Sequence, residues 1–335
     1  MGRTRRRVVS LLLSSSMVLA LPGSASAAPS NADRATLAGS YIALRQRADG
    51  SIPAFSPIGS TADAVLAFVA EGAGTTPLAS AMGYLRRQTA KGNLTTIGLR
   101  AKVALAVQAG GRNPQNFGGH NLIDEISQSK RLTGRYANAS VLDEALGILA
   151  IYASFGASDL DAIRWLMRAQ CPDGGWQYDR PYASKTEGAH CGNTADPLAD
   201  PFRSDTNTTA YAVMALSIPK GGWKHDPFAY LASMRDAAHG GWGYTFGYET
   251  TDANSTALVI QAYAAQAQPP PAGARAALRK LQYGCGAFAY SWTDAGKRTG
   301  PDVGATIGAV PGLLALPLPL AGTVTGELPA STCPA

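Results

Sequence analysis

A helix pair that recurs along the chain is the feature that most limits how this sequence can fold. Short helical segments ending in Gln or Arg return at intervals of roughly 40 to 47 residues, with one longer interval, which is typical of a repeat architecture. They end at Gln46, Gln88, Gln128, Gln170, Arg235 and Gln282. After each comes a glycine-containing turn and an apolar, alanine-rich segment of helical period, at residues 61–70, 99–109, 141–153, 208–218, 255–265 and 305–316. The sequence therefore predicts six helix pairs.

Helix pairs of this kind have to stack, because one pair cannot bury its apolar face alone. Six pairs favour a closed ring over an open superhelix, so we predict an all-α fold, an α6/α6 toroid. The alanine-rich second helices should form the inner barrel, where small side chains permit close approach. The first helices, which carry Arg and Lys, should lie outside. The one long interval predicts an insertion loop at residues 171–204.

The N-terminus has the three parts of a secretory signal peptide. Four arginines precede an apolar run over residues 8–21, and small residues follow at 25–27. Removal of residues 1–27 leaves a predicted toroid domain at 28–320 and a C-terminal tail at 321–335. No later stretch approaches the roughly 20 apolar residues of a membrane span. We therefore expect a secreted protein without a membrane span.

The charge of the chain argues against nucleic acid as a partner. The formal net charge is +6, but four of the positive charges lie in the predicted signal peptide, so the mature chain keeps only about +2.

Four cysteines in an exported chain favour disulfides over free thiols or zinc. They allow three pairings. Cys171 with Cys191 is favoured because these two bracket one loop, which leaves Cys285 with Cys333. No metal site is predicted, because the sequence has no Asp-x-Cys pair to hold zinc and its four histidines are scattered through turns.

The glycine turns are variants of one phrase. Residues 171–178 read CPDGGWQY, 239–244 read HGGWGY and 284–290 read GCGAFAY. Glycines supply positive φ in such turns, and an aromatic ring packs back over them. With the preceding Gln170 or Gln282, the turns resemble the Gln…Gly-x-Trp repeat of the prenyltransferase/squalene cyclase repeat superfamily. That resemblance implies an α/α toroid of the terpenoid cyclase type, and it is specific for fold more than for activity.

Within that superfamily the chain most resembles secreted members related to intrinsic factor and transcobalamin. Residues 205–210 (DTNTTA) and 252–257 (DANSTA), each opening an inner helix, are similar to their repeat phrase. The resemblance implies a binding protein for a large amphipathic small molecule, with a cobalamin-like corrinoid as the concrete candidate. Those carriers have a further β-rich domain over the ligand. Here a short tail follows Pro319, so a partner protein is expected as lid or receptor.

Catalytic signatures of related toroids are missing from the sequence. Protonating cyclases use an Asp-x-Asp-Asp phrase, and the closest match, at residues 159–162, lacks the third aspartate and suits a helix cap. The alternative to a carrier remains an enzyme of the terpenoid cyclase, prenyltransferase or carbohydrate-active kind, and a third alternative is a structural or protein-binding module. The carboxylates available to an enzyme near the barrel mouth are Asp63, Glu144, Asp205, Asp252 and Asp302.

Candidate ligand contacts lie at the starts of the inner helices and in the turns. Asp205, Asn207, Asp252 and Asn254 are good N-cap residues, and helix N-termini gathered at one mouth present free N–H groups to a polar ligand. Turn aromatics suit either bracing of the repeat or contact with an amphipathic ligand. We predict as ligand-binding these four residues together with Trp176, Tyr178, Trp242, Tyr244 and Tyr248. No catalytic residue and no cofactor is predicted.

Overall fold

Six outer and six inner helices alternate along the part of the chain that the structure describes. The computed structural model describes residues 28–178, 191 and 203–334, so the predicted signal peptide and much of the insertion loop lie outside the described residues. The outer helices are α1 (Asn31–Leu44), α3 (Thr75–Ala90), α5 (Leu122–Ser127), α7 (Leu160–Arg168), α9 (Pro227–Ser233) and α11 (Ala274–Lys280). The inner helices are α2 (Pro57–Glu71), α4 (Ile97–Ala109), α6 (Val141–Phe155), α8 (Thr206–Leu216), α10 (Ala253–Ala265) and α12 (Val303–Leu314).

The inner helices form a closed ring. Each packs against the next in the order α2, α4, α6, α8, α10, α12, and α12 in turn packs against both α2 and α1. The predicted α6/α6 toroid is therefore the observed fold, and all six predicted helix pairs are present.

Small side chains let the inner helices approach closely. Ala101 on α4, Ala210 on α8 and Ala257 on α10 are fully buried. On α12, a Cβ added at Gly312 would lie 2.5 Å from the Cβ of Ala257. Since real Cβ atoms do not come that close, glycine is what allows α10 and α12 to touch at this point.

The turn between an outer and an inner helix ties the two together. Short antiparallel strands form there, β1 (Trp176–Gln177) with β2 (Ser204–Asp205) and β3 (Phe288–Ala289) with β4 (Pro301–Asp302). In three repeats the turn aromatic donates its backbone N–H to a threonine hydroxyl in the first turn of the inner helix. These pairs are Trp176 to Thr209 at 2.9 Å, Trp242 to Thr256 at 3.0 Å and Phe288 to Thr306 at 2.9 Å.

Glutamines at the ends of outer helices link neighbouring repeats. Gln170 donates from Nε2 to its own turn and to the carbonyl of His225, ahead of α9, at 2.7 Å. Gln282 donates in the same way to the carbonyl of Arg34 on α1 at 2.8 Å, and the Arg34 guanidinium donates to Oε1 of Gln282 at 3.1 Å. The last repeat is thereby joined to the first on the outside of the ring.

Both predicted disulfides are present. Cys171 is bonded to Cys191 and Cys285 to Cys333, with Cα–Cα distances of 5.4 and 4.8 Å. Among the described residues, no helix is long and apolar enough to span a membrane.

The segment after α12, residues 315–334, runs along the end of the ring at which the inner helices finish, and we call it the tail. Leu318 is buried against the inner helices. Thr325 donates its N–H to the carbonyl of Gly72, the residue after α2, at 2.9 Å. Further on, the Glu327 carboxylate accepts the N–H of Thr76 at the start of α3 at 3.1 Å. Cys333 of the tail then forms the disulfide with Cys285 in the α11–β3 turn.

A carboxyl group without a partner is buried where α2 meets α1. Both carboxyl oxygens of Glu71, the last residue of α2, are buried and make no hydrogen bond, and the group fits only because Gly39 of α1 has no side chain. Burial raises the pKa of Glu71 to about 9. In the folded protein the carboxyl therefore keeps its proton at neutral pH, whereas in the unfolded chain it loses it.

This difference predicts a stability that falls as pH rises. Between the ordinary pKa of a glutamate and about 9 the folded state binds more protons than the unfolded state at Glu71, so the free energy of unfolding decreases over that interval. We expect the wild type to lose on the order of 3 kcal/mol of unfolding free energy between pH 6 and pH 9 because of Glu71. Glu71→Gln, whose amide resembles the protonated carboxyl, should not show this loss. Urea denaturation at both pH values measures this.

The control for this prediction is Asp294→Asn, which removes an exposed carboxylate and should leave the difference between pH 6 and pH 9 unchanged. If Glu71→Gln loses as much stability as the wild type over that interval, Glu71 is not the group responsible.

Candidate ligand-binding site

All six inner helices begin at one end of the ring, which we call the mouth. It is marked by their N-cap residues, Ser56, Thr96, Ser140, Asp205, Asp252 and Asp302, each of which accepts a backbone N–H from the first turn of its helix. Leu318 of the tail lies against the interior at the opposite end, so we expect a molecule from solvent to reach the interior of the ring through the mouth.

Two of the predicted cap residues are caps and two are not. Asp205 accepts the N–H of Thr208, and Asp252 accepts that of Ser255, both at 2.7 Å. Asn207 and Asn254 instead lie at the second position of α8 and α10 and line the interior of the ring. The prediction of a capping role is therefore wrong for the two asparagines.

Burial changes the acidity of both aspartate caps. Asp205 is 2% exposed, and burial raises its pKa to about 7 although the hydrogen bonds from Thr208 act to lower it. For Asp252 burial raises the pKa to about 6, against the hydrogen bonds from Ser255. The Oδ2 atom of Asp205 is buried and has no hydrogen-bond partner.

Exposed aromatic rings surround the mouth. The carbonyls of Tyr178, Tyr244 and Tyr290 accept the first N–H of α6, α8 and α10 respectively, at 2.8–2.9 Å, so these three residues sit directly beside the helix starts. Their side chains are 47%, 38% and 42% exposed, and Tyr248, in the same loop as Tyr244, is 66% exposed. Exposed aromatic surface therefore lies at the mouth, and the predicted role of Tyr178, Tyr244 and Tyr248 in ligand binding stays a prediction.

The two predicted tryptophans lie elsewhere. Trp176 and Trp242 are fully buried, and their indole N–H groups donate to the carbonyls of Leu166 and Leu231 on the outer helices at 2.8 and 2.6 Å. They brace outer helix against inner helix and expose no surface to the mouth.

The interior of the ring contains a cavity of about 220 Å³, which we call the lumen. Spacing of four and then three residues places side chains of one inner helix on the same face, as for Asn254, Leu258 and Gln261 of α10. The lumen is lined by Phe55, Ser60, Asp63, Leu66, Lys102, Leu142, Asn207, Tyr211, Asn254, Leu258, Gln261, Gly304, Ile307, Gly308, Pro311 and Leu318. Leu318 belongs to the tail, so the tail forms the floor of the lumen.

One wall of the lumen carries an ion pair. The Lys102 ammonium lies 2.8 Å from the Asp63 carboxylate. Burial acts to lower the pKa of Lys102, but the Asp63 carboxylate, with the Tyr211 and Asp143 side chains, outweighs it and holds that pKa above its usual range. Lys102 therefore stays charged, and Asp63 is held as its partner.

One of the two asparagines supplies an unpaired polar group near the mouth. Oδ1 of Asn207 is buried and has no hydrogen-bond partner. Oδ1 of Asn254 lies 2.4 Å from the position that a Cβ at Gly308 would take, so the glycine makes room for this amide. A buried acceptor without a donor is costly, and a ligand hydroxyl reaching Asn207 would satisfy it.

The remaining candidate carboxylates do not face the lumen. Glu144 of α6 is fully buried, and its Oε2 accepts the N–H of Tyr136, in the connection before that helix, at 2.9 Å. Burial raises the pKa of Glu144 to about 8. Asp302 caps α12 by accepting the N–H of Ala305 at 2.6 Å. Among the residues that the structure describes, Asp63 is the carboxylate that lines the lumen.

Sequence reasoning missed the residues that give the lumen its character, above all Lys102, Tyr211, Phe55 and Leu318. A signal was available for two of them. Lys102 and Tyr211 interrupt otherwise apolar, alanine-rich inner helices, and a polar residue there has to face either the lumen or a partner. In the described part of the chain, no three His, Cys, Asp or Glu residues come together in a way that would hold a metal ion.

Comparison with known proteins bears on the fold. No family model and no curated protein matches the sequence. A protein of known structure from Actinoplanes is 16% identical over 85% of this chain and 98% of its own, with a TM-score of 0.54. The type II terpene cyclase MstE from Scytonema is 17% identical over 84% of this chain and 74% of its own, with a TM-score of 0.38. ent-Copalyl diphosphate synthase from Streptomyces platensis is 16% identical over 79% and 72%, with a TM-score of 0.23.

These similarities concern architecture. The chain is an all-α toroid that shares its fold with the Actinoplanes protein, and at such low identity nothing about chemistry follows. A particular similarity to cobalamin carriers, which the sequence predicted, is not among the findings.

Proposed function

We propose that the protein binds one small amphipathic molecule, of the size and character of a prenyl alcohol or a small terpenoid, in the lumen. The observation that carries this proposal is the lumen itself, a largely apolar cavity with an unpaired amide oxygen, Asn207 Oδ1, near its entrance. An apolar chain suits the walls formed by Leu66, Leu258 and Pro311, and a hydroxyl suits the amide.

The volume of the lumen limits the ligand. At about 220 Å³ it is smaller than the roughly 300–1,000 Å³ of a site for a drug-sized molecule. A corrinoid macrocycle is several times larger than this cavity, so the corrinoid expected from sequence resemblance has room only across the mouth, on Tyr178, Tyr244 and Tyr248. We therefore favour a smaller ligand inside the ring.

Binding is favoured over catalysis because the carboxylate that lines the lumen already has a partner. Asp63 is paired with Lys102, and Gln261 donates from Nε2 to the Ala257 carbonyl of its own helix at 3.3 Å. Such a wall orients a ligand without supplying a free acid. The two disulfides support the further proposal that the protein works in an oxidising, extracellular compartment.

Thermal denaturation of the mature protein with geraniol, farnesol or hydroxocobalamin tests the proposal. A ligand that binds only the folded state stabilises it, by about 2.7 kcal/mol at a hundredfold excess over Kd. We expect a prenyl alcohol to raise the Tm of the wild type. Leu258→Trp, which fills the lumen, should abolish that shift, whereas Tyr244→Ala at the mouth should reduce it only slightly.

Phe155→Ala is the matched control, because it removes an exposed aromatic ring at the far end of α6 and should leave the ligand shift intact. A prenyl-alcohol shift that survives Leu258→Trp would contradict binding in the lumen. A shift seen only with hydroxocobalamin, and lost in Tyr244→Ala, would favour the corrinoid at the mouth instead.

A second candidate function, an enzyme of the terpenoid cyclase kind, is favoured by one observation. Asp205 is buried beside Tyr244 at the mouth, its pKa is raised to about 7, and its Oδ2 atom is unpartnered, which are properties of a general acid. Gas chromatography of geranylgeraniol incubated with the protein tests it. A cyclised product that disappears in Asp205→Asn, which preserves the cap, would establish catalysis. An unchanged substrate would leave binding as the function.

A further inference from the structure

A second and larger cavity lies on the outer surface, away from the lumen. It has a volume of about 1020 Å³ and runs between α3 and the connection 110–119. The next outer helix, α5, begins only at Leu122, so an irregular segment flanks α3 here, and an open groove remains between them. We call this the α3 groove.

The floor of the α3 groove is apolar. Leu78 and Met82 of α3 lie one helical turn apart, and Phe117 faces them from the connection. Met82 and Phe117 are 9% and 5% exposed, so both are anchored in the core and present only an edge to the groove. A methionine-containing floor adapts to different apolar side chains.

The rim of the α3 groove is basic. Arg86 and Arg87 on α3 and Arg112 on the connection line it, and no Asp or Glu of the described part of the chain does. The side chains of Arg86 and Arg112 are exposed and make no hydrogen bond or ion pair with the described residues. Arg87 donates to the backbone carbonyl of Asp49 at 2.5 Å. The Asp49 carboxylate accepts hydrogen bonds from the backbone N–H and the hydroxyl of Ser51.

We propose that the α3 groove binds an acidic segment of a partner protein, with an apolar side chain on Met82 and Phe117 and carboxylates on Arg86 and Arg112. Guanidinium groups bind carboxylates in a bidentate manner, and arginine is enriched at protein interfaces. The unpaired charges thus match an acidic partner, and the apolar floor adds an anchor that a simple anion would not use. This surface shares no residue with the lumen, so the inference stands independently of the proposed ligand.

Selection from a phage-displayed library of random dodecapeptides tests this proposal on the mature protein. Peptides are selected on the wild type and compared with those selected on the double variant Arg86→Gln, Arg112→Gln. We expect the wild type to enrich peptides that combine Asp or Glu with a large apolar residue, and the double variant to lose that enrichment. Fluorescence anisotropy with a selected peptide should then show about tenfold weaker binding to the double variant.

The matched control is the double variant Lys220→Gln, Lys280→Gln, which removes the same charge from two exposed sites outside the α3 groove and should bind the peptide as the wild type does. Both double variants should keep the wild-type Tm, because the substituted side chains are exposed.

Three results would overturn the proposal. The first is enrichment of no acidic motif, or of one that the arginine substitutions do not affect. The second is equal binding of heparin and of peptides that lack an apolar residue, which would make the groove a site for any anion. The third is an arginine-dependent dimer of the wild type in size-exclusion chromatography, which would make a second copy of this chain the occupant.

Discussion

Trp242→Ala is expected to lower the free energy of unfolding by about 4 kcal/mol, the cost of deleting a large buried side chain. The side chain of Trp242 is fully buried between α9 and α10, and its indole N–H donates a hydrogen bond to the carbonyl of Leu231. The backbone N–H of Trp242 donates a second hydrogen bond, to the hydroxyl of Thr256. Removing the side chain leaves a cavity and an unpaired carbonyl at Leu231. Urea denaturation followed by circular dichroism measures the loss.

Tyr244→Ala provides the comparison two residues further on. Its side chain is partly exposed at the mouth, so its removal should cost well under 1 kcal/mol, as is usual for surface substitutions. Comparing the two variants distinguishes a residue that stabilises the repeat from one that is exposed at the mouth, within the same turn. Equal losses of stability in the two variants would contradict the assignment of Trp242 to the core of the repeat and Tyr244 to the mouth.

Removing the disulfide that anchors the tail is expected to have an effect of similar size. Cys285 and Cys333 are 48 residues apart, and a cross-link closing a loop of that length restricts the unfolded chain by about 4 kcal/mol. We therefore expect the double variant Cys285→Ala, Cys333→Ala to unfold at markedly lower urea concentration than the wild type. Replacing both residues avoids leaving a reactive free thiol.

The same double variant tests the tail as the floor of the lumen. Leu318, Thr325 and Glu327 still hold the tail in place without the disulfide, so the ring should stay closed at room temperature and bind its ligand. If the urea midpoint shifts little, the cross-link restricts the unfolded chain less than expected, and the contacts of Leu318, Thr325 and Glu327 are what hold the tail in the folded protein. If ligand binding is lost while the fold persists, the floor depends on the disulfide.

Much of the fold could be predicted from sequence because its determinants are local. Helical periodicity located the six pairs, and Asp205 and Asp252 were recognisable as caps since capping involves residues three apart. The disulfide pairing followed from the bracketing of one loop by Cys171 and Cys191.

The site was harder to predict because it depends on which face of each inner helix points inward. Asn207 and Asn254 were interpreted as caps, yet each is the second residue of its helix and lines the lumen. A turn aromatic is equally compatible with packing inward or lining the mouth, so Trp242 and Tyr244 look alike in sequence. Leu318 reaches the floor of the lumen only because the tail folds back, which no local pattern indicates.

Closure of the ring through Gln282 and Arg34 changes how the repeats share their stability. In an open array of repeats, stability is a sum over units and nearest-neighbour interfaces, and the end units, each with one interface, fray first. Here every repeat has two neighbours, because the first and the last repeat also contact each other, so no repeat at an end is less stable than the others. Opening the toroid breaks two interfaces before any single repeat is free. Amide hydrogen exchange should accordingly protect the first and sixth repeats as strongly as the third and fourth.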